Sequence, residues 1–182
     1  MNDVSTHDKR EALHRRMREL AGELARLQGD LVALGPGQRL PGLYLVVEAG
    51  GQRALLPASH VQEIVRLVPF SPVPEGPPHA LGSFVCRGQP VLALDLAACL
   101  GSRREPDLDA HVVVFSASPP FGLLVDGVLS TVEAPLLLEG GDAGAGDWCD
   151  TRLVAGLCRM DDGIVPLLGM AALARSAEAV TP

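Results

Sequence analysis

GSFVCRGQPVLALDLAACL, residues Gly82 to Leu100, is the stretch whose reading decides the fold. Ser83–Cys86 predicts a strand, Arg87-Gly88-Gln89 a tight turn, and Val91–Leu94 the return strand. Asp95 stands where a helix N-cap belongs, ahead of Leu96–Leu100, and Gly101 is the stop signal. A looser copy, GLCRMDDGIVPLLGMAALA, runs from Gly156 to Ala174. Each copy has Gly, then Cys-Arg, a turn, an apolar strand ending in Leu, and a short helix. One supersecondary unit used twice implies two similar subdomains.

Upstream of the first copy, Pro69 to Ala80 contains Pro69, Pro72, Pro74, Pro77 and Pro78, so the connector is extended and stiff. Before it, Leu43–Glu48 and Gln52–Leu56 read as a hairpin around Ala49-Gly50-Gly51. Ala58–His60 makes one helical turn, and Val61–Leu67 alternates well enough for a half-buried strand. Downstream, Gly101 to Asp109 is a charged linker. Strands follow at His111–Ser116, Phe121–Val125 and Val128–Glu133, separated by Pro119-Pro120 and Asp126-Gly127 turns. Glu139 to Asp150 reads as a loop anchored by Trp148. A repeat of roughly 70 residues fits two small five-stranded barrels better than a solenoid of three or more units.

At the other end, Leu13, Met17, Leu20, Leu24, Leu27, Leu31 and Leu34 are spaced 4-3-4-3-4-3, a heptad seam ended by Gly35-Pro36-Gly37. Two uses of this helix are open. It docks its seam on its own body or a partner helix, or it self-associates. The g positions Arg16, Glu23 and Asp30 would face Ala21, Gln28 and Gly35 in a parallel dimer, which gives no ion pairs.

Composition narrows the function. Of 182 residues 47% are hydrophobic but only 3% aromatic, so cores are built from Leu, Val and Ala. Residues 1–36 carry six basic and six acidic side chains, and the remainder holds the entire net charge of −7. An acidic body repels phosphate backbones, which argues against nucleic acid, and no basic patch or apolar span argues for a membrane. Cys86, Cys99, Cys149 and Cys158 form no CxxC pair and have no histidine at ligand spacing. Without a signal peptide, the expectation is a cytoplasmic protein with free thiols.

Few residues carry chemistry. Asp95 reads as a cap and Asp126 as a turn residue rather than catalytic carboxylates. Neither Ser59-His60 nor Cys149-Asp150 has a nucleophile elbow or an orienting partner, and the loop at Gly140–Gly146 follows no phosphate-binding pattern. Arg87 is either a plain exposed turn arginine or a working cation. In the second case Glu63, on the Val61–Leu67 strand, is its natural partner across two strands.

From Pro41 to Ser176 the chain resembles the CheW-like domain, the adaptor fold of bacterial chemosensory arrays. The resemblance rests on VQEIVR at Val61–Arg66, GSFVCRGQPVLALDL at Gly82–Leu96, GLLVDGV at Gly122–Val128 and the closing GLCRMDDGIVPLL. It implies a mainly β fold of two SH3-like five-stranded barrels, residues 40–105 and 106–176 within a 40–176 domain, preceded by the helical segment 1–38. It also implies no enzymatic activity and no cofactor or metal. The implied partners are the regulatory domain of a CheA-type histidine kinase and the cytoplasmic tip of a chemoreceptor. Arg87 falls on the motif arginine, Glu63 on its acidic partner, and Val61 and Gly82 on receptor-groove positions, with Gly88 completing the turn.

This chain departs from the pattern Gly-x-x-Asn-Leu-Arg-Gly at Val85 and Cys86, and has Ala97 where an arginine often follows Asp-Leu. The alternative reading is therefore a receptor-independent regulatory module acting on an output enzyme, a kinase or a cyclase.

Overall fold

The computed structural model describes residues 36–73, 79–102, 107–139 and 151–178, together with Arg16, Met17, Leu20 and Glu23. The chain begins with β1 (Gly37–Arg39), β2 (Leu43–Ala49) and β3 (Gln52–Pro57), a single 3-10 turn at Ala58–His60, and β4 (Val61–Arg66). The organising hairpin is β5 (Ala80–Cys86) and β6 (Gln89–Asp95), followed by the short helix α1 (Leu96–Cys99). Next come β7 (His111–Phe115), β8 (Phe121–Val125), β9 (Gly127–Glu133) and β10 (Leu136–Leu138). A 3-10 turn at Thr151–Leu153 leads into β11 (Val154–Met160), β12 (Gly163–Leu168) and α2 (Met170–Glu178).

The strands form two sheets, in the orders β1-β10-β11-β12-β3-β2-β9 and β4-β7-β8-β6-β5. The expectation of a mainly β chain with few helices holds; the two closed five-stranded barrels do not, because the ladders divide seven and five. The extra pair comes from a kinked ribbon. Residues 37–49 run antiparallel to 127–138, and Leu40 and Ala134 amides carry the pairing across the break at 2.9 Å each. Gly42 (φ 95°) and Ala134 (φ 49°) take positive φ there and turn each long strand into two. Across the sequence β2 pairs with β9 and β3 with β12, while β7 and β8 complete the sheet of β4, β5 and β6.

Burial explains why several strands are apolar throughout. Val112 and Val114 face a cluster with Phe84, Val91, Ala93 and Leu124 inside the five-stranded sheet. Val113 and Phe115, pointing the other way, join Leu45, Val47, Leu56, Leu94 and Leu123 between the two sheets. A third cluster, Val46, Leu55, Cys158, Val165 and Leu167, fills the seven-stranded sheet. With both faces covered, HVVVF and FGLLV need no polar alternation. Phe115 and Phe121 stack in the central layer at 5.1 Å between ring centroids, each burial contributing about 2–3 kcal/mol. Helix α1 seals that layer with Leu96 and Cys99, and α2 does so with Leu173 and Ala177.

Two short elements behave as their sequences predict. The Asp95 side chain accepts from the Ala97 amide at 2.9 Å, a helix N-cap. Asp126 does more than turn the chain: its Oδ2 accepts from the Gly50 amide at 2.7 Å, and its own amide donates to the Glu48 carbonyl at 2.7 Å. It therefore joins the β8–β9 corner to the β2–β3 turn.

The heptad helix lies mostly outside the described residues, as do Leu13, Leu24, Leu27, Leu31 and Leu34, the loop around Trp148, and Cys149. The described positions Arg16, Met17, Leu20 and Glu23 are helical, and the seam residues Met17 (63%) and Leu20 (49%) are exposed.

Candidate functional site

In the five-stranded sheet, β4 and β5 stand at opposite ends of the strand order. The sheet nevertheless curls far enough for a β4 side chain to reach the end of β5. Glu63 Oε2 accepts from Arg87 Nε at 3.1 Å, and Glu63 Oε1 accepts from the Cys86 thiol. A register shift between Val61 and Glu63, the mark of a bulge, re-aims the carboxylate at this point. Side chains thus join two edges that no ladder joins.

The second link between these edges is made by backbone. Ser71, in the connector after β4, exchanges amide–carbonyl bonds with Ser83 on β5, 2.8 Å in each direction. Gly82 makes this approach feasible. At φ 137° it occupies a conformation that side chains rarely adopt, and a Cβ there would lie 2.4 Å from the Ser71 carbonyl oxygen. Covering part of an edge strand in this way also limits unwanted strand addition.

The turn itself is strained. Arg87 and Gly88 both have positive φ, 49° and 79°, which matches the right-handed twist of a two-residue hairpin. Asn or Gly meets that demand readily; an arginine there costs roughly 1–2 kcal/mol. What the arginine offers in return is a guanidinium at the rim, 67% exposed, beside a Glu63 side chain that is 21% exposed. The Cys86 thiol hydrogen bond, then the Arg87 guanidinium, hold the Glu63 carboxyl below its ordinary range. Reciprocally, the carboxylate, with burial second, pushes the Cys86 thiol up, so the thiol stays protonated and acts as a donor.

Next to this polar rim is a groove of mixed character, with apolar walls from Val68, Pro69, Phe84, Val85 and Pro90 and polar ones from Ser71 and Ser83. Val85 is 73% exposed and Ile64 on β4 is 42% exposed, so the edge offers both grease and charge. Of the residues singled out in the sequence, Glu63, Arg87 and Gly88 come together here. Gly82 lies further along β5, buried in a structural role, and Val61 is half-buried against the central layer. Sequence reasoning missed Cys86 as a member of the cluster. A thiol at a strand end carries no signal by itself, and only the curl of the sheet places it against Glu63.

Among the described residues no group of three or more His, Cys, Asp or Glu could hold a metal ion, and no helix is long and apolar enough to cross a membrane. Cys86, Cys99 and Cys158 form no disulfide among the described residues. His60, next to Ser59, lies in a one-turn 3-10 segment, where its carbonyl accepts the Ser116 amide. The residues assembled here place an exposed, oriented cation next to a groove.

The comparisons agree with this architecture. A search of curated proteins finds no match. Among solved structures, the chain is similar to the scaffolding protein TtCheW from Thermoanaerobacter tengcongensis. The TM-score is 0.61 at 22% identity, covering 72% of this chain and 86% of that one, a likeness of fold. The family model described as CheW-like domain matches residues 43–178. Spanning most of the chain and both sheets, that match makes this protein a member of the CheW-like domain family.

Proposed function

We propose that this chain is a non-enzymatic adaptor that couples the regulatory domain of a CheA-type histidine kinase to a chemoreceptor tip in a chemosensory pathway. The observation that carries the reading is the Arg87 turn: a guanidinium held at positive φ on an open edge, braced by Glu63 and flanked by a groove of mixed character. A non-Gly side chain kept in a costly conformation, at a rim rather than in a core, fits a contact residue. Family membership and the fold of a scaffolding protein support the same conclusion. In this reading Arg87, Glu63 and Gly88 form the contact turn, and Val61 and Gly82 complete the partner-binding set by shaping the edge from beneath.

Pull-down of a receptor-tip helical hairpin and of a kinase regulatory domain tests it. Arg87→Ala is expected to weaken capture by tenfold or more, which corresponds to about 1.4 kcal/mol. Its unfolding should remain cooperative, with a stability change under about 1 kcal/mol. Undiminished capture of both partners by Arg87→Ala would remove the turn from the interface.

One observation favours the receptor-independent alternative. Where an arginine often follows Asp-Leu, this chain has Ala97, 3% exposed and packed in the central layer, so this position offers a partner no cation. Capture of a kinase domain or cyclase with no receptor-tip binding would select that reading. Exposed Met17 and Leu20 add a further element to the proposal: the N-terminal seam serves a partner helix or a second copy of the chain. Gel filtration with and without residues 1–38 reads this directly, an unchanged assembly size excluding self-association.

A further inference from the structure

Three groups stand outside the adaptor proposal, and two of them have plain structural roles. Cys158 is fully buried among Val46, Leu55 and Val165, and burial pushes its thiol up to about 11, a packing residue. The Arg53–Asp162 pair joins β3 to the β11–β12 turn at the opposite sheet. Cys86 is different. It sits at the end of β5, 9% exposed, and its thiol donates to the same carboxylate that holds Arg87.

We infer that Cys86 is a positioning residue of the docking turn, its thiol fixing the Glu63 carboxylate so that the second oxygen presents to Arg87 Nε. This rests on the reading of Arg87 as the contact residue, and extends it inward by one side chain. A carboxylate on an edge strand rotates about its last torsion with little preference. Anchoring Oε1 from the strand interior leaves Oε2 aimed outward, towards the turn. The guanidinium then lies along the edge instead of sampling solvent, with less rotamer freedom left to lose when a partner binds. The matching position in the family pattern is leucine, which has no proton to donate. In this chain the arrangement is a thiol–carboxylate–guanidinium series in which the first member is apolar enough to be buried and polar enough to orient.

Two variants of the full-length chain test this, Cys86→Ser, which keeps a donor, and Cys86→Val, which keeps an apolar side chain and removes it. The first readout is the Arg87 Nε–Hε signal in the NMR spectrum of the free protein, which needs no partner. It should persist in the wild type and in Cys86→Ser, and exchange-broaden in Cys86→Val. An unchanged signal in Cys86→Val overturns the inference. The second is partner capture, expected to fall by about two- to tenfold in Cys86→Val and by less than that in Cys86→Ser.

Should Cys86→Val fail to fold, Glu63→Gln supplies an independent measurement. With the carboxylate neutralised, alkylation of Cys86, followed site by site by mass spectrometry, should begin at lower pH than in the wild type. An unshifted profile counts against the thiol–carboxylate contact. The two readings can fail separately. If Arg87→Ala leaves capture intact while Cys86→Val still frees the Arg87 signal, the adaptor contact is wrong and the positioning role stands. If Arg87→Ala abolishes capture while Cys86→Val changes neither readout, the reverse holds.

Discussion

Two hairpins of this molecule, β5–β6 and β11–β12, share a plan and differ in what surrounds them. Each has a two-residue turn, Arg87-Gly88 in one and Asp161-Asp162 in the other, and each is followed by a helix. Each turn is tied by an ion pair, with the charges exchanged. In the first the turn supplies the cation and strand β4 the acid; in the second the turn supplies Asp162, and Arg53 on β3 answers it. The first hairpin ends its sheet, leaving β5 as an edge, whereas β11 and β12 have neighbours on both sides. The same unit is therefore an open rim where it ends its sheet, the rim that the adaptor proposal uses, and a staple between strands where the sheet flanks it on both sides.

Glycine substitutions should separate the two most sharply. Gly82 and Gly163 have nearly equal φ, 137° and 139°, but a Cβ at Gly163 meets nothing within 4 Å while one at Gly82 runs into the Ser71 carbonyl. Gly163→Ala is expected to cost about 1–3 kcal/mol, the backbone strain alone. Gly82→Ala adds roughly 1–3 kcal/mol of overpacking and opens the Ser71–Ser83 bridge. Urea midpoints compared at fixed slope measure the difference. Equal losses would mean that the edge tether contributes nothing.

Arg87→Asn sharpens the comparison from the functional side. Asparagine accepts positive φ more readily, so stability should stay level or rise by several tenths of a kcal/mol while partner capture falls. Asp162→Asn, at the enclosed hairpin, should leave capture unchanged and cost at most about 1 kcal/mol, the range of a solvent-exposed pair. A capture defect in Asp162→Asn would extend the interface to both hairpins.

The smallest expected effect is on pH dependence, where the hairpins should behave alike. Glu63 is lowered by the Cys86 thiol and then Arg87, and Asp162 by the Arg53 hydrogen bond first. A carboxyl lowered in the folded state stabilises fully above its unfolded value, and that contribution disappears as pH falls through the lowered folded value. Wild type should thus lead Glu63→Gln at about pH 6 and converge with it below about pH 3. Added salt should shrink the gap at the higher pH. A gap that widens on acidification would reverse the assignment.

Much of this was legible in local pattern. The turns at Gly50-Gly51 and Arg87-Gly88, the Asp95 cap and the strands on either side follow from residue types whose backbone preferences are strong. The Glu63–Arg87 pair could be anticipated from complementary charge, although β4 and β5 stand at opposite ends of their sheet. β1 and β10 could not: Gly37–Arg39 and Leu136–Leu138 are three residues each, and they become strands by pairing with each other across nearly the whole domain. The repeated Cys-Arg was likewise deceptive. Cys86 is the last residue before its turn and pairs with Gln89, whereas Cys158 pairs with Val165 deeper in its hairpin, so the position matching Cys86 is Met160. Which strands share a sheet depends on the parallel pairings β6–β8 and β12–β3, and nothing near those residues encodes a partner so distant in sequence.

Those crossings have an evolutionary consequence. The seven-stranded sheet takes its strands from both sides of the five-stranded one, residues 37–57 and 127–168, so any cut between β3 and β9 severs the β1–β10, β3–β12 and β2–β9 ladders at once, and one half cannot be exchanged as a cassette. On the adaptor proposal, new partners are instead acquired by point changes along the open rim, where a single side chain alters the charge offered while the interlaced framework beneath it stays as it was.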